Sequence, residues 1–132
     1  MNTQNVARLD EQSERETPIV LLIDDMEDIF AVWSLVLEAE GITVFTSQDG
    51  VDGLEKARVY RPDVIVCDLM MPGLDGLEVC ATIRRDATLS HVFIILWTAA
   101  HGVRAGNHAD LVVEKPVEVE PFLKLIRDVV RH

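Results

Sequence analysis

Five short apolar runs alternate along the chain with stretches whose apolar residues recur at spacings of three and four. The first run, IVLLI over residues 19 to 23, follows Pro18 and ends at Asp24 and Asp25. A continuous apolar run of this length, bounded by charge, predicts a strand buried on both faces. From Met26 to Glu40 the period becomes helical, with Ile29, Val32, Trp33, Val36 and Leu37 on one face, and Gly41 stops it. Residues 42 to 46 form a second strand. Residues 49 to 60 form a second helix, ended by Arg61 and Pro62 because the residue before a proline leaves the helical region. The third strand, VIVC, runs into Asp68, and a turn at Gly73, Asp75 and Gly76 leads to a helix from Leu77 to about Arg85. The fourth strand, VFIILW, runs into Thr98. A shorter fifth, at residues 111 to 113, is followed by Glu114, Lys115 and Pro116, and a last helix extends from about Val119 to Arg131.

Strands alternating with helices imply an α/β architecture, a doubly wound parallel sheet covered on both faces. The alternation weakens in one place. Between Thr98 and Lys115 the stretch HGVRAGNHAD carries two glycines and few apolar residues, so its helix propensity is poor and the fourth helix is expected to be shortened or irregular. Residues 1 to 17 are polar and read as a tail or extension, which leaves one domain over 18 to 132.

Composition narrows the function classes. The formal net charge of -11 opposes direct contact with nucleic acid or an anionic membrane surface. It suits a basic partner or a cation held by carboxylates, although solubility alone also accounts for it. The N-terminal stretch has no apolar signal core and no run is long enough to span a bilayer, so a cytoplasmic location is the default. Cys67 and Cys80 match no metal or redox spacing and read as small core residues in a reducing compartment. Trp33 and Trp97 read as packing residues. His101 and His108 lack the further ligands of a zinc site.

The chemistry lies at the strand ends, because ligands of an open parallel sheet bind at the carboxyl edge of its strands. There the sequence places Asp24 and Asp25, Asp68, Thr98 and Lys115. Taken singly, each has a plain structural explanation; Asp24 and Asp25, for instance, suffice as a helix-capping pair. Taken together, three carboxylates repel one another unless a divalent cation joins them, and Mg2+ prefers such hard oxygen ligands. A carboxylate at a strand end can attack phosphorus, while an ammonium and a hydroxyl can meet phosphoryl oxygens.

The stretches IVLLIDDMED, VIVCDLMMPGLDGLEV, FIILWTAA and VVEKPVE, in this order over about residues 18 to 131, resemble the receiver domain of two-component response regulators, a CheY-like family. DLMMPGLDG is the most specific of them. The resemblance implies a flavodoxin-like sheet of order 2-1-3-4-5 and a phosphoacceptor switch rather than an enzyme. It implies Asp68 as acceptor, and Asp24, Asp25, Asp68 and the Met70 backbone carbonyl as the Mg2+ set. Thr98 would contact the phosphoryl group and move on activation, Lys115 would bridge to it, and Pro116 would follow a cis peptide bond. A histidine kinase or histidine phosphotransfer protein would supply the phosphoryl group, and a downstream protein would read the result. Met70 and Ala100 flank the expected path of the hydrolytic water and neither side chain can orient it, which implies slow self-dephosphorylation.

Two departures stand out. Val112 occupies the position where such domains usually carry the aromatic residue that follows the threonine. The short segment before the fifth strand removes most of the fourth helix from the face through which many relatives dimerise, so that dimer is not expected. Two rivals remain open: a pseudo-receiver that binds without phosphorylation, favoured by Val112 and the short helix, and an aspartate-nucleophile phosphatase, disfavoured because its paired acids are not adjacent.

Overall fold

The computed structural model of the protein describes residues 17–131, so the polar tail expected over 1 to 17 lies, apart from Thr17, outside the described residues. The elements run β1 (Ile19–Ile23), α1 (Glu27–Ala39), β2 (Thr43–Ser47), α2 (Gly50–Tyr60), β3 (Val64–Asp68), α3 (Gly76–Arg85), β4 (Phe93–Thr98), β5 (Leu111–Glu114) and α4 (Val119–Val130). The five strands form one parallel sheet in the order β2-β1-β3-β4-β5. The expected architecture and strand order are therefore present, with element boundaries within about two residues of those expected.

Alternation along each strand builds two cores. Leu21 and Ile23 of β1 point to one face with Ile65, Cys67, Ile94 and Leu96, against Leu54 and Ala57 of α2 and Val79, Cys80 and Ile83 of α3. Val20 and Leu22 point to the other, with Val64, Val66, Ile95 and Trp97, against Phe30, Trp33 and Leu37 of α1 and Phe122, Leu123 and Ile126 of α4. A sheet buried on both sides must be apolar at successive positions, which is why its strands read as continuous runs. Both cysteines and both tryptophans are core residues.

Local signals set the helix ends. Asp49 accepts from the Asp52 N–H at 2.8 Å to start α2, and Asp75 accepts from the Glu78 N–H at 2.9 Å to start α3. Gly41, at φ 80, follows α1 in the left-handed region that glycine enters freely. The end of α2 differs from the expectation. Arg61, before Pro62, is left-handed at φ 49 rather than extended, so the helix closes with a backbone bond from the Arg61 N–H to the Ala57 carbonyl.

No helix lies between β4 and β5; residues 99–110 are turns and bends, with Gly102 and Gly106 at positive φ. Arg84 of α3 holds this loop. Its guanidinium donates to the carbonyls of His108 at 2.7 Å, Ser90 at 2.9 Å and Val92 at 2.6 Å, and to Asp110 Oδ2 at 2.7 Å. Asp110 in turn accepts from the Ile94 N–H at 2.8 Å and donates its own N–H to the Ile94 carbonyl at 2.9 Å. One side chain thus bonds three backbone carbonyls and Asp110, and ties α3 to the segment that leads into β5. Arg84→Met keeps most of the aliphatic stem and removes these bonds; it is expected to lower stability by about 2 kcal/mol, read by urea denaturation. An unchanged midpoint would show that the clamp is dispensable.

Candidate functional site

The carboxyl edge of the sheet gathers the residues singled out at the strand ends. Asp24 directly follows β1 and is 0% exposed, Asp68 ends β3 at 6%, Thr98 ends β4 at 0%, and Asp25 faces solvent. Carboxylate oxygens of Asp24, Asp25 and Asp68 lie within 4.8 Å of one another, the one such acidic cluster among the described residues. Lys115, just beyond β5, places its ammonium 2.7 Å from Asp24 Oδ2 and 3.7 Å from Asp68 Oδ1. The peptide bond between Lys115 and Pro116 is cis.

Backbone bonds fix this geometry. Asp24 donates its N–H to the Ser47 carbonyl at 3.0 Å and accepts from the Met26 N–H at 3.0 Å, so it also supports the start of α1. Asp68 accepts from the Met70 N–H at 3.3 Å. Thr98 accepts from the Ala100 N–H at 3.1 Å, and its carbonyl accepts from the Lys115 N–H at 2.7 Å. Hence the acidic, hydroxyl and ammonium groups sit on a frame of ladder bonds rather than on independent loops.

Electrostatics single out Asp68. Burial and the neighbouring Asp24 raise its pKa to about 6, Asp25 adds to the rise, and Lys115 and the Met70 N–H oppose it. One ammonium does not offset three carboxylates, so the cluster keeps an excess of negative charge, the condition under which a divalent cation binds hard oxygens. The donor set therefore fits such an ion.

The remaining expectations fall as follows. Val112 is half-buried and packs with the core under α2 and α3, paired with Leu96 across β4 and β5. His101 contacts Glu114 at 3.0 Å and not His108. The Met70 side chain is exposed. Two supports were not foreseen. Lys115 lies over the Trp97 ring at 5.4 Å from its centroid. Gly76 packs directly beneath the end of β3, where a Cβ would stand 2.5 Å from the Asp68 carbonyl oxygen and 2.8 Å from Leu69 Cα. The first was implicit in Trp97 preceding Thr98, but the second has no sequence signal beyond a glycine after a capping Asp.

Among the described residues no helix is long and apolar enough to cross a membrane. The family model of the response regulator receiver domain matches residues 20–127. The transcriptional regulatory protein AfsQ1 of Streptomyces coelicolor is 42% identical over 122 residues, 87% of this chain and 52% of that protein. The response regulator ArlR of Staphylococcus aureus is 33% identical over 115 residues, 86% of this chain and 52% of that protein. The chain thus spans about half the length of the curated relatives it matches. Among solved structures, Vibrio cholerae chemotaxis protein CheY4 superposes with a TM-score of 0.78 at 29% identity, over 86% of this chain and 98% of that one. A CheY-like receiver domain protein from Methanospirillum hungatei has the same fold, with a TM-score of 0.81 at 21% identity over 88% of this chain and 95% of that one. With its sheet order, its acidic edge and a family match across most of its length, this chain belongs to the response regulator receiver domains of two-component signalling.

Proposed function

We propose that the domain takes a phosphoryl group onto Asp68 from a histidine kinase or histidine phosphotransfer protein, with Mg2+ held by Asp24, Asp25, Asp68 and the Met70 carbonyl. The observation that carries this reading is the ammonium of Lys115 set between Asp24 and Asp68, at 2.7 and 3.7 Å, beside the acidic cluster. An Asp68 carboxylate oxygen forms a bond to phosphorus as the donor's bond to phosphorus breaks, and the leaving group departs with the bonding pair. Bound Mg2+ would offset charge on the phosphoryl oxygens. Lys115 is placed to move from Asp24 toward a phosphoryl oxygen, and the Thr98 hydroxyl to donate to another. Met70 and Ala100 offer no side-chain group to orient a hydrolytic water, which supports a long-lived acyl phosphate.

The result would be read by another protein through protein contacts. With no helix between β4 and β5 and Val112 in place of an aromatic, the loop at 99–110 is the element best placed to carry the change. It adjoins Thr98 through the Ala100 N–H and is tied to β5 by Glu114, which accepts from the Gly102 N–H and contacts His101. The same features favour the second reading, a module that binds without phosphorylation.

Incubation with acetyl phosphate and Mg2+, followed by intact mass, separates the two. The expected result is a gain of one phosphoryl group that disappears when the metal is chelated. No gain under any condition would leave the binding module as the better reading.

A further inference from the structure

The Lys115 ammonium makes one short hydrogen bond, to Asp24 Oδ2 at 2.7 Å. Asp68 Oδ1, at 3.7 Å, is an ion-pair neighbour beyond hydrogen-bond length. The other group that confines the ammonium is the Trp97 ring, whose centroid lies 5.4 Å away in the one cation–π contact among the described residues. A cation this close to an aromatic face is attracted by the ring quadrupole, and indole attracts it most strongly. The attraction to the face consumes no directed N–H bond, so of the three donors of an ammonium two stay available.

The ring is a fixed body. Trp97 stands in register with Asp68 on β3 and with Val113 on β5, and its carbonyl accepts from the Leu69 N–H at 3.1 Å. The indole is 1% exposed and packs against Phe122 at 5.8 Å and Trp33 at 6.2 Å between centroids. Packing alone does not call for an indole here. The Trp97 Nε1–H is buried and has no hydrogen-bond partner among the described residues, a desolvation cost that Phe or Leu would not carry. What the indole adds over those residues is the larger π face beside Lys115.

We infer that Trp97 is a positioning residue: its ring holds the Lys115 ammonium at the carboxyl edge of the sheet while the carboxylates around it change partners. The inference rests on the phosphoryl-transfer reading, in which Asp24 becomes a metal ligand and Lys115 leaves it for a phosphoryl oxygen. An uncharged ring takes no part in that exchange. It therefore confines the ammonium equally before and after, and leaves N–H donors for the phosphoryl group. Trp97 acts through Lys115 alone and touches none of the reacting atoms.

Ring fluorines draw electron density from the π face and change the shape of the indole little, so they separate its pull on a cation from its packing. The full chain is produced with tryptophan or with a difluorotryptophan, as wild type and as Lys115→Met. Both tryptophans take the label, but Trp33 has no cation over it among the described residues, so its contribution is common to both proteins and cancels. In urea without metal, the fluorines should lower the midpoint of the wild type more than that of Lys115→Met. If Lys115→Met alone leaves Asp24 uncompensated and does not fold, Asp24→Asn is added to both proteins. With acetyl phosphate and Mg2+, the labelled wild type should take up the phosphoryl group at least about threefold more slowly than the unlabelled one. Equal midpoint shifts in the two proteins would overturn the contact, and an unchanged uptake rate would overturn the positioning role. No uptake by the unlabelled chain would defeat the phosphoryl-transfer reading and the positioning role with it, while the midpoints would still decide whether the ring holds the ammonium.

Discussion

Asp68→Asn is expected to abolish phosphoryl uptake from acetyl phosphate and, in the same protein without metal, to raise stability. The first effect follows from removing the attacking oxygen: an amide is no nucleophile toward phosphorus, and a loss of at least about a hundredfold in incorporation is expected by intact mass. The second follows from the site's charge. Asp68 is buried beside Asp24, and these two causes lift its pKa from 3.8 to about 6. A carboxyl with a raised folded-state pKa binds its proton more tightly in the folded chain than in the unfolded one. Its unfavourable contribution is therefore full above about pH 6 and fades as the pH falls toward about 4, so the wild-type domain should gain stability on mild acidification. The gain should be about 1–2 kcal/mol, below the full linkage value because the mouth of the site is open to water. In the Asp68→Asn protein that gain should already be present at about pH 7, and the slope over this interval should be lost. Saturating Mg2+ should stabilise the wild type and reverse its slope, because protons then compete with the metal for the carboxylates. Urea midpoints across this pH range, with and without Mg2+, test all of this. A wild type that loses stability on metal-free acidification would contradict the charge balance described for the site.

Gly76→Ala is expected to be the most damaging small substitution, costing about 3 kcal/mol or more and displacing Asp68. Alanine normally favours a helix over glycine by up to about 1 kcal/mol, and Gly76 begins α3. Space decides otherwise. The added carbon would stand 2.5 Å from the Asp68 carbonyl oxygen, 2.8 Å from Leu69 Cα and 3.0 Å from Leu96 Cδ2. Two of these three neighbours are backbone, and the Gly76 N–H also donates to the Leu69 carbonyl at 2.9 Å. Relief therefore requires α3 to back away from the end of β3, which carries Asp68. Stability and phosphoryl uptake should fall together, whereas Gly41→Ala, with open space around its Cβ position, should affect stability modestly and uptake not at all. Undiminished uptake in a well-folded Gly76→Ala protein would show that α3 can shift without disturbing the acceptor.

The contrast between these two sites shows what the sequence could and could not reveal. Asp24, Asp68 and Thr98 were legible because a doubly buried strand is a continuous apolar run, so the first polar residue after it marks the sheet edge, and Lys115 because it closely follows the short apolar run of β5. The missing helix between β4 and β5 was legible for a related reason: a segment with two glycines and few apolar residues has nothing to bury and a poor backbone for a helix. Gly76 and Arg84 were not legible in their roles. Close approach of α3 to β3 depends on how two distant segments pack, and glycine after a capping Asp reads equally well as a turn. The four bonds of Arg84 run to residues 6 to 26 positions away, and no local pattern encodes partners that are brought together only once the loop has folded. Arg61 was missed differently. The restriction that proline places on its predecessor is a tendency, and closing α2 with a backbone bond at Ala57 overrode it.

Lys115 and Asp24 stand 91 residues apart in the chain, yet they form one ion pair at the heart of the site. The first strand synthesised at this edge thus waits for nearly the whole domain before its buried carboxylate meets a counter-charge. Contacts of such sequence separation form late, because chain entropy must be lost before they give anything back. A nascent or truncated chain that stops before β5 would present Asp68 with the acids around it but without the ammonium. The charge balance of the cluster is thereby tied to completion of the domain, because the one ammonium beside its three carboxylates arrives with the last strand.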